Sequence, residues 1–188
     1  MYQIVKQTVV FSWDFNQVLN DTILNDIASC DKIIFSNYED LDTCLITDNK
    51  FDNEYGKKRK KSKFNQRLDN LPYSIKDLIL GCSFNQRLDN LPPRIQNLTL
   101  GYRFNQCLDN LPSSIINLTL DETFNQPLDN LPYTINKITF KSYGHHNIKF
   151  NQEIKKIPQN LTLIDISRIQ NKSHLKKEFG KFNVEIIE

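Results

Sequence analysis

The sequence predicts a mainly β fold, a parallel β solenoid with 20-residue coils and a mostly irregular or 3₁₀ side opposite the strands. Three observations carry this. The segments FNQRLDNLPYSIKDLIL, FNQRLDNLPPRIQNLTL, FNQCLDNLPSSIINLTL and FNQPLDNLPYTINKITF follow one another, and the Phe-Asn-Gln triplet returns at Phe64, Phe84, Phe104 and Phe124 at one constant interval. Self-similarity at a short fixed period marks a stack of small units, each burying its apolar face against its neighbours. Each copy closes on an alternating pair such as Leu98-Thr99-Leu100, the period of a short half-buried strand. Pro92 and its copies break any helix through the middle of the coil.

Taken in order, the chain opens on a degenerate copy. Aligning Val9-Val10-Phe11 with Leu118-Thr119-Leu120 puts Phe15-Asn16-Gln17 on Phe124-Asn125-Gln126 and Leu19 on Leu128. Strands are expected near 9–11, 33–35, 45–47, 78–80, 98–100, 118–120, 138–140, 164–166 and 184–186. Residues 1–56 read as degenerate N-terminal repeats or a cap, and 57–63 as a basic loop insert. Residues 64–167 form the repeat array, with a second insert at 141–149. Residues 168–188 read as a C-terminal cap in which a polar turn, SHLKKEFGK, leads to a last strand.

Within a coil, the recurring positions build. Phe64, Phe84, Phe104 and Phe124 are expected in one offset stacked column. The Asn after each Phe (Asn65, Asn85, Asn105, Asn125, Asn151) offers its amide to backbone groups at the turn, forming a structural ladder. Pro72, Pro92, Pro112, Pro132 and Pro158 fix φ at a corner without ladder partners. Asp69, Asp89, Asp109 and Asp129 would repel one another along the stack unless they face water or meet Arg67 and Arg87.

Composition narrows the class. The chain of 188 residues carries a net charge of +2, so no global field draws it to nucleic acid or membrane. The four cysteines, Cys30, Cys44, Cys82 and Cys107, have no CxxC spacing and read as reduced thiols of a cytosolic or nuclear protein. The opening MYQIVKQTVVFSW lacks the basic start and apolar run of a signal peptide. No stretch of 18 apolar residues exists to span a membrane. A monomer is expected, in the cytoplasm, with nuclear entry as the alternative.

The motif Phe124-Asn125-Gln126-Pro127-Leu128, followed by Asp129-Asn130-Leu131-Pro132 and a strand, resembles the FNIP repeat, a short relative of the leucine-rich repeat. Arg67, Arg87, Cys107 and Glu153 stand where that motif has Pro. The resemblance covers Phe64–Ser167, with weaker copies toward both ends. It implies a leucine-rich-repeat-like solenoid that binds proteins, of a kind found in amoebae and in giant viruses that infect them, hence a host-cell location if viral. Some relatives join such repeats to an F-box, which implies substrate recognition for a ubiquitin ligase. Residues 1–55 lack the Leu-Pro start of an F-box.

Chemistry is sparse. The sequence contains no nucleophile motif, P-loop, dinucleotide fingerprint or zinc spacing, so no enzyme, cofactor or metal is expected. His145 and His146 lie in the second insert without a third ligand nearby, and His174 reads as surface. Lys57, Lys58, Arg59, Lys60, Lys61 and Lys63 form a basic run that reads as a solvated loop or as a nuclear-localisation or polyanion-binding segment. It holds no aromatic residue to stack on bases, which argues against sequence-specific RNA binding, and nucleic acid is not the expected partner. The varied positions are the candidate recognition surface for a protein partner. They are Asp77, Asn97, Asn117 and Lys137 on the strands, with Ile79, Thr99, Thr119 and Thr139 beside them. Cys82, Tyr102, Arg103, Asp121, Glu122, Lys141 and Tyr143 follow just after. Tyr and Arg are the residue types that anchor interfaces.

Overall fold

The computed structural model describes residues 1–37, 60–142 and 147–188. Among these, the strands make one sheet in strict sequence order. They are β1 (Tyr2–Val5), β2 (Thr8–Phe11), β3 (Lys32–Phe35), β4 (Asp77–Ile79), β5 (Asn97–Thr99), β6 (Asn117–Asp121), β7 (Lys137–Lys141), β8 (Leu163–Arg168) and β9 (Glu185–Ile187). From β2 onward every neighbour is parallel. The chain is a parallel β solenoid.

The register places Leu78, Leu98, Leu118, Ile138 and Ile164 in one inward row. All five are buried in the continuous core. On the far side the chain turns without regular structure. The carbonyl of each corner Pro accepts from the residue three on: Ile75 to Pro72, Ile95 to Pro92, Ile115 to Pro112, Ile135 to Pro132 and Leu161 to Pro158. Each is a single tight turn, all that so short a coil accommodates opposite its strand. The phenylalanines stack as the repeat requires. Ring centroids are 6.0, 6.2 and 6.3 Å apart from Phe64 through Phe84 and Phe104 to Phe124, with planes within 8° of parallel. Phe15 extends the column at 5.9 Å from Phe64.

Longer coils hold helices. The register pairs Val9 with Ile33, a wider step than that from Leu78 to Leu98. The extra length forms α1 (Asp21–Asp26), capped by Asn20, whose side chain accepts from the Ile23 N–H at 3.1 Å. The sequence-based reading of SHLKKEFGK as a turn is corrected. Ser173–Phe179 is a helix, α2, which buries Leu175 and Phe179 on one face, one helical turn apart. The coil around it is also longer than the repeat and pairs Ile164 with Ile186, so the last strand lies at 185–187. The buried Glu178 of α2 accepts from the Ile154 N–H at 2.9 Å and pairs with Lys181. It thereby closes the Ile154 backbone donor from the coil that follows.

Two features lay outside the periodic signal. β1 folds back antiparallel on β2 through a tight turn at Lys6-Gln7, with Lys6 at φ 56°, so the first parallel strand is covered by a hairpin. β3 pairs directly with β4; the strand expected at 45–47 lies outside the described residues. The chain returns beside its point of departure. Lys60 N–H donates to the Asn37 carbonyl at 2.8 Å and Ser62 N–H to the Asn37 side chain at 3.2 Å. Phe64 then takes, in the second coil, the place of Phe15 in the first. Gly101 permits the next close approach, since a Cβ there would lie 2.3 Å from the Gly81 carbonyl oxygen.

Phe104 is fully buried with a parallel Phe on each side. Phe104→Ala should cost about 3–5 kcal/mol, and Phe104→Leu, which keeps most of the volume, under about 2 kcal/mol. Urea melts measure both; equal losses would show that the stacked ring itself, and not the volume it fills, carries the stabilisation.

Candidate functional site

The outward strand face is set by register. Lys32, Asp77, Asn97, Asn117 and Lys137 stand in one row. Asn97 donates its amide to the Asp77 carboxylate and Asn117 to the Asn97 side-chain oxygen at 2.7 Å. Lys137 reaches Asp165 at 3.2 Å. Burial raises the Asp165 carboxyl, but the Ser167 hydroxyl and N–H and the Lys137 ammonium outweigh it and hold Asp165 below the usual carboxylate range. The row is a polar, partly exposed ribbon from β4 to β7, acidic at Asp77 and basic at Lys137.

Three residues expected on this surface are not available to a partner in this structure. Asp121, Glu122 and Lys141 are 1, 3 and 5% exposed. β6 and β7 run further than β4 and β5, pairing Asp121 with Lys141 inside the sheet. Asp121 accepts the Glu122 N–H at 2.8 Å, and Glu122 accepts from the Ser142 hydroxyl. Cys82 is buried as well. Tyr102 and Arg103 are exposed, and Tyr143 lies outside the described residues.

Tyr102 and Arg103 border a groove of about 580 Å³ beside the asparagine ladder. Each rung is a side-chain oxygen accepting the backbone N–H of the Asn one coil on. The bonds run from Asn65 to Asn16 (2.9 Å), Asn85 to Asn65 (2.8 Å), Asn105 to Asn85 (2.9 Å), Asn125 to Asn105 (2.8 Å) and Asn151 to Asn125 (2.9 Å). Lys149, at the far end of the groove, escaped sequence reasoning. Its signal is positional, since it precedes Phe150 as Arg103 precedes Phe104.

A second groove, about 380 Å³, lies at the opposite corner between the Arg67–Asp69 and Arg87–Asp89 pairs. Its charges are closed on one another. Arg67 meets Asp69 at 2.9 Å and Arg87 meets Asp89 at 2.7 Å. Asn90 and Asn110 each donate across one coil, at 2.9 Å, to Asp69 and Asp89. Bonds from Asn90 and Arg67 lower the Asp69 carboxyl, those from Asn110 and Arg87 lower Asp89, and those from Cys107 and Asn130 lower Asp109. The repeated acids are thus separated by an amide from the next coil.

Of the basic run, Lys57, Lys58 and Arg59 lie outside the described residues, as do His145 and His146. Lys61 is exposed. Lys60 and Lys63 place their ammonium groups 5.3 and 4.9 Å from the Trp13 ring, a cation–π contact no local reading could supply. His174 is half-buried, its Nε2 3.1 Å from the Gln152 carbonyl. Among the described residues no group of three His, Cys, Asp or Glu side chains could hold a metal ion, and no helix is long and apolar enough to cross a membrane.

The family model for the FNIP Repeat matches residues 84–110 and 108–143. Among solved structures it is similar to CroV588, a giant-virus protein described as a novel circular LRR protein, with TM-score 0.59 and 26% identity over 94% of this chain. The chain spans 26% of that protein's length. No curated protein matches it.

The acid row yields a pH prediction. The Asp69, Asp89 and Asp109 carboxyls are depressed in the folded chain, so their bonds stabilise it above the ordinary carboxylate range, near pH 4, and are lost as pH falls through the lowered folded values. The urea midpoint should drop on acidification below about pH 4, and Asp89→Asn should make that drop shallower. An unchanged acid profile in the variant would contradict the assignment.

Proposed function

We propose that this FNIP-repeat solenoid is a non-enzymatic protein-interaction module that acts as a binding subunit or adaptor. One observation carries the reading. The register collects Asp77, Asn97, Asn117 and Lys137 into a single partly exposed row, while the positions that repeat unchanged are those consumed by the core and ladders. A solenoid of this kind offers a long ribbon whose chemistry changes from coil to coil without cost to the stack. Tyr102 and Arg103 stand at the rim of that ribbon, midway along the regular array, and supply its aromatic and guanidinium groups.

Affinity capture from expressing cells, read by mass spectrometry, tests this. The triple variant Asn97→Ala, Asn117→Ala, Lys137→Ala and the double variant Tyr102→Ala, Arg103→Ala should each lose the captured protein by roughly 30-fold or more, the scale of hot-spot truncation, with unchanged circular dichroism. Replacing Lys57, Lys58, Arg59, Lys60, Lys61 and Lys63 by Ser should leave capture intact. Loss in the Ser variant with retention in the other two would make the basic run the working element and a polyanion its ligand.

A further inference from the structure

The residue preceding each repeat Phe forms a row of its own. It reads Lys63, Ser83, Arg103, Thr123, Lys149, a cation at every second coil with a hydroxyl between. One bond type locks all three cationic positions. Lys63 N–H donates to the Trp13 carbonyl at 2.7 Å, Arg103 N–H to Cys82 at 3.0 Å, and Lys149 N–H to Glu122 at 2.7 Å. Each acceptor lies two positions before the Phe of the preceding coil. The row is therefore built by the backbone, and its spacing is that of the coils. The ring column beside this row steps 6.0 and 6.2 Å from Phe64 through Phe84 to Phe104, so Lys63 and Arg103 stand about 12 Å apart along the stack, somewhat more than two strand spacings, and Arg103 and Lys149 are separated by a similar two-coil step.

The groove along this row is rich in donors. Each ladder asparagine spends its oxygen on the next coil, and the amide nitrogens of Asn65, Asn85, Asn105 and Asn125 have no protein acceptor among the described residues. Arg103 and Lys149 likewise form no side-chain hydrogen bond or ion pair among the described residues. Among the described residues no carboxylate lines the groove, in contrast to the opposite corner, where each Arg is closed by its own Asp. Asp14 begins the row one coil before Lys63 and partly offsets it, so the field is strongest between Arg103 and Lys149. Tyr102 forms an aromatic wall.

We infer that this groove binds an acidic peptide segment in polyproline-II conformation, with a carboxylate at every third position. A polyproline-II helix completes a turn in three positions and rises about 3.1 Å at each, so every third side chain lies on one face at about 9 Å intervals. That interval is shorter than the separation of the cations, and the long, flexible side chains of Arg103 and Lys149 can lean toward one another to close the difference. Its carbonyls have no internal partners, and the free asparagine amides supply donors for them. An aromatic wall beside such a groove suits proline rings. Nucleic acid fits less well, since two free cations release few counterions and one exposed aromatic offers little stacking.

The inference rests on the reading of the chain as a protein-binding module. The variant Asn97→Ala, Asn117→Ala, Lys137→Ala leaves this groove intact, so failure of the strand face and failure of the groove are told apart. Fluorescence anisotropy of the full chain with labelled (Glu-Pro-Pro)4 tests the groove. Four results are expected. The peptide binds; (Gln-Pro-Pro)4 binds at least tenfold more weakly; a peptide of the same composition with its four Glu adjacent binds severalfold more weakly; and the Arg103→Ser, Lys149→Ser variant loses tenfold or more. Lys155→Ser, Lys156→Ser removes the same charge elsewhere and should stay within twofold of the parent. Side-chain amide signals of Asn85, Asn105 and Asn125 should shift on titration, a readout independent of those variants. Equal binding of the Glu and Gln peptides, equal loss in both lysine-bearing variants, or tighter binding of oligo-dT of ten nucleotides would overturn it.

Discussion

The rest of the structure depends on one hydrogen bond made repeatedly, from the backbone N–H of an asparagine to the side-chain oxygen of the asparagine one coil before. A solenoid must turn its chain sharply at the end of every strand, and the turn leaves a backbone donor without a sheet partner. Here the donor is met by the same residue type that creates it. The solution is transitive, so any number of coils can be joined without a new device. It also fixes the axial rise at the edge of the sheet, and that rise brings each Phe parallel to the next at 6.0 to 6.3 Å.

The ladder explains how the stack tolerates insertions. The step from Asn16 to Asn65 crosses 49 residues and that from Asn125 to Asn151 crosses 26, yet both bonds close at 2.9 Å. Most of the extra chain lies between a strand and the following Phe, with a smaller share in α1 between Phe15 and β3, while the rungs stay in register. Loop closure grows only slowly in entropic cost with length, so a long excursion weakens a coil far less than a broken rung would. Each end of the stack has a different cover. The antiparallel β1 lies over β2, and α2 covers the last repeat coil, with the Glu178 carboxylate supplying an acceptor to Ile154.

Much of this was legible in the sequence, because period and chemistry coincide. The alternating Leu98-Thr99-Leu100 gave the strand, Phe104 the column and Asn105 the ladder, since each recurs with its copies at one spacing. What was not legible departs from the period. The β1 hairpin has no copy to compare with. The helix at Ser173–Phe179 needs more chain than the repeat supplies, which shifts the last strand from 184–186 to 185–187. Asp121, Glu122 and Lys141 were expected outside because their types vary and are charged; the longer strand pairing buries them. The cationic row escaped because its members look like isolated substitutions; their shared position before each Phe is in the sequence, and the hydrogen bond to the preceding coil shows them as one feature. Trp13 meets Lys60 and Lys63 across a long stretch of intervening chain, beyond the reach of any local pattern.

Hydrogen exchange under native conditions measures the ladder directly. The backbone N–H groups of Asn85, Asn105 and Asn125 lie in turns near the surface, where amides ordinarily exchange through local opening. If the rungs hold the coils together, these three should exchange as slowly as Leu98 and Leu118 in the strands, and all should slow or quicken together when urea is added. Exchange at the rate of exposed turns, with the strand amides still protected, would show that sheet and core hold the stack alone and would contradict the account.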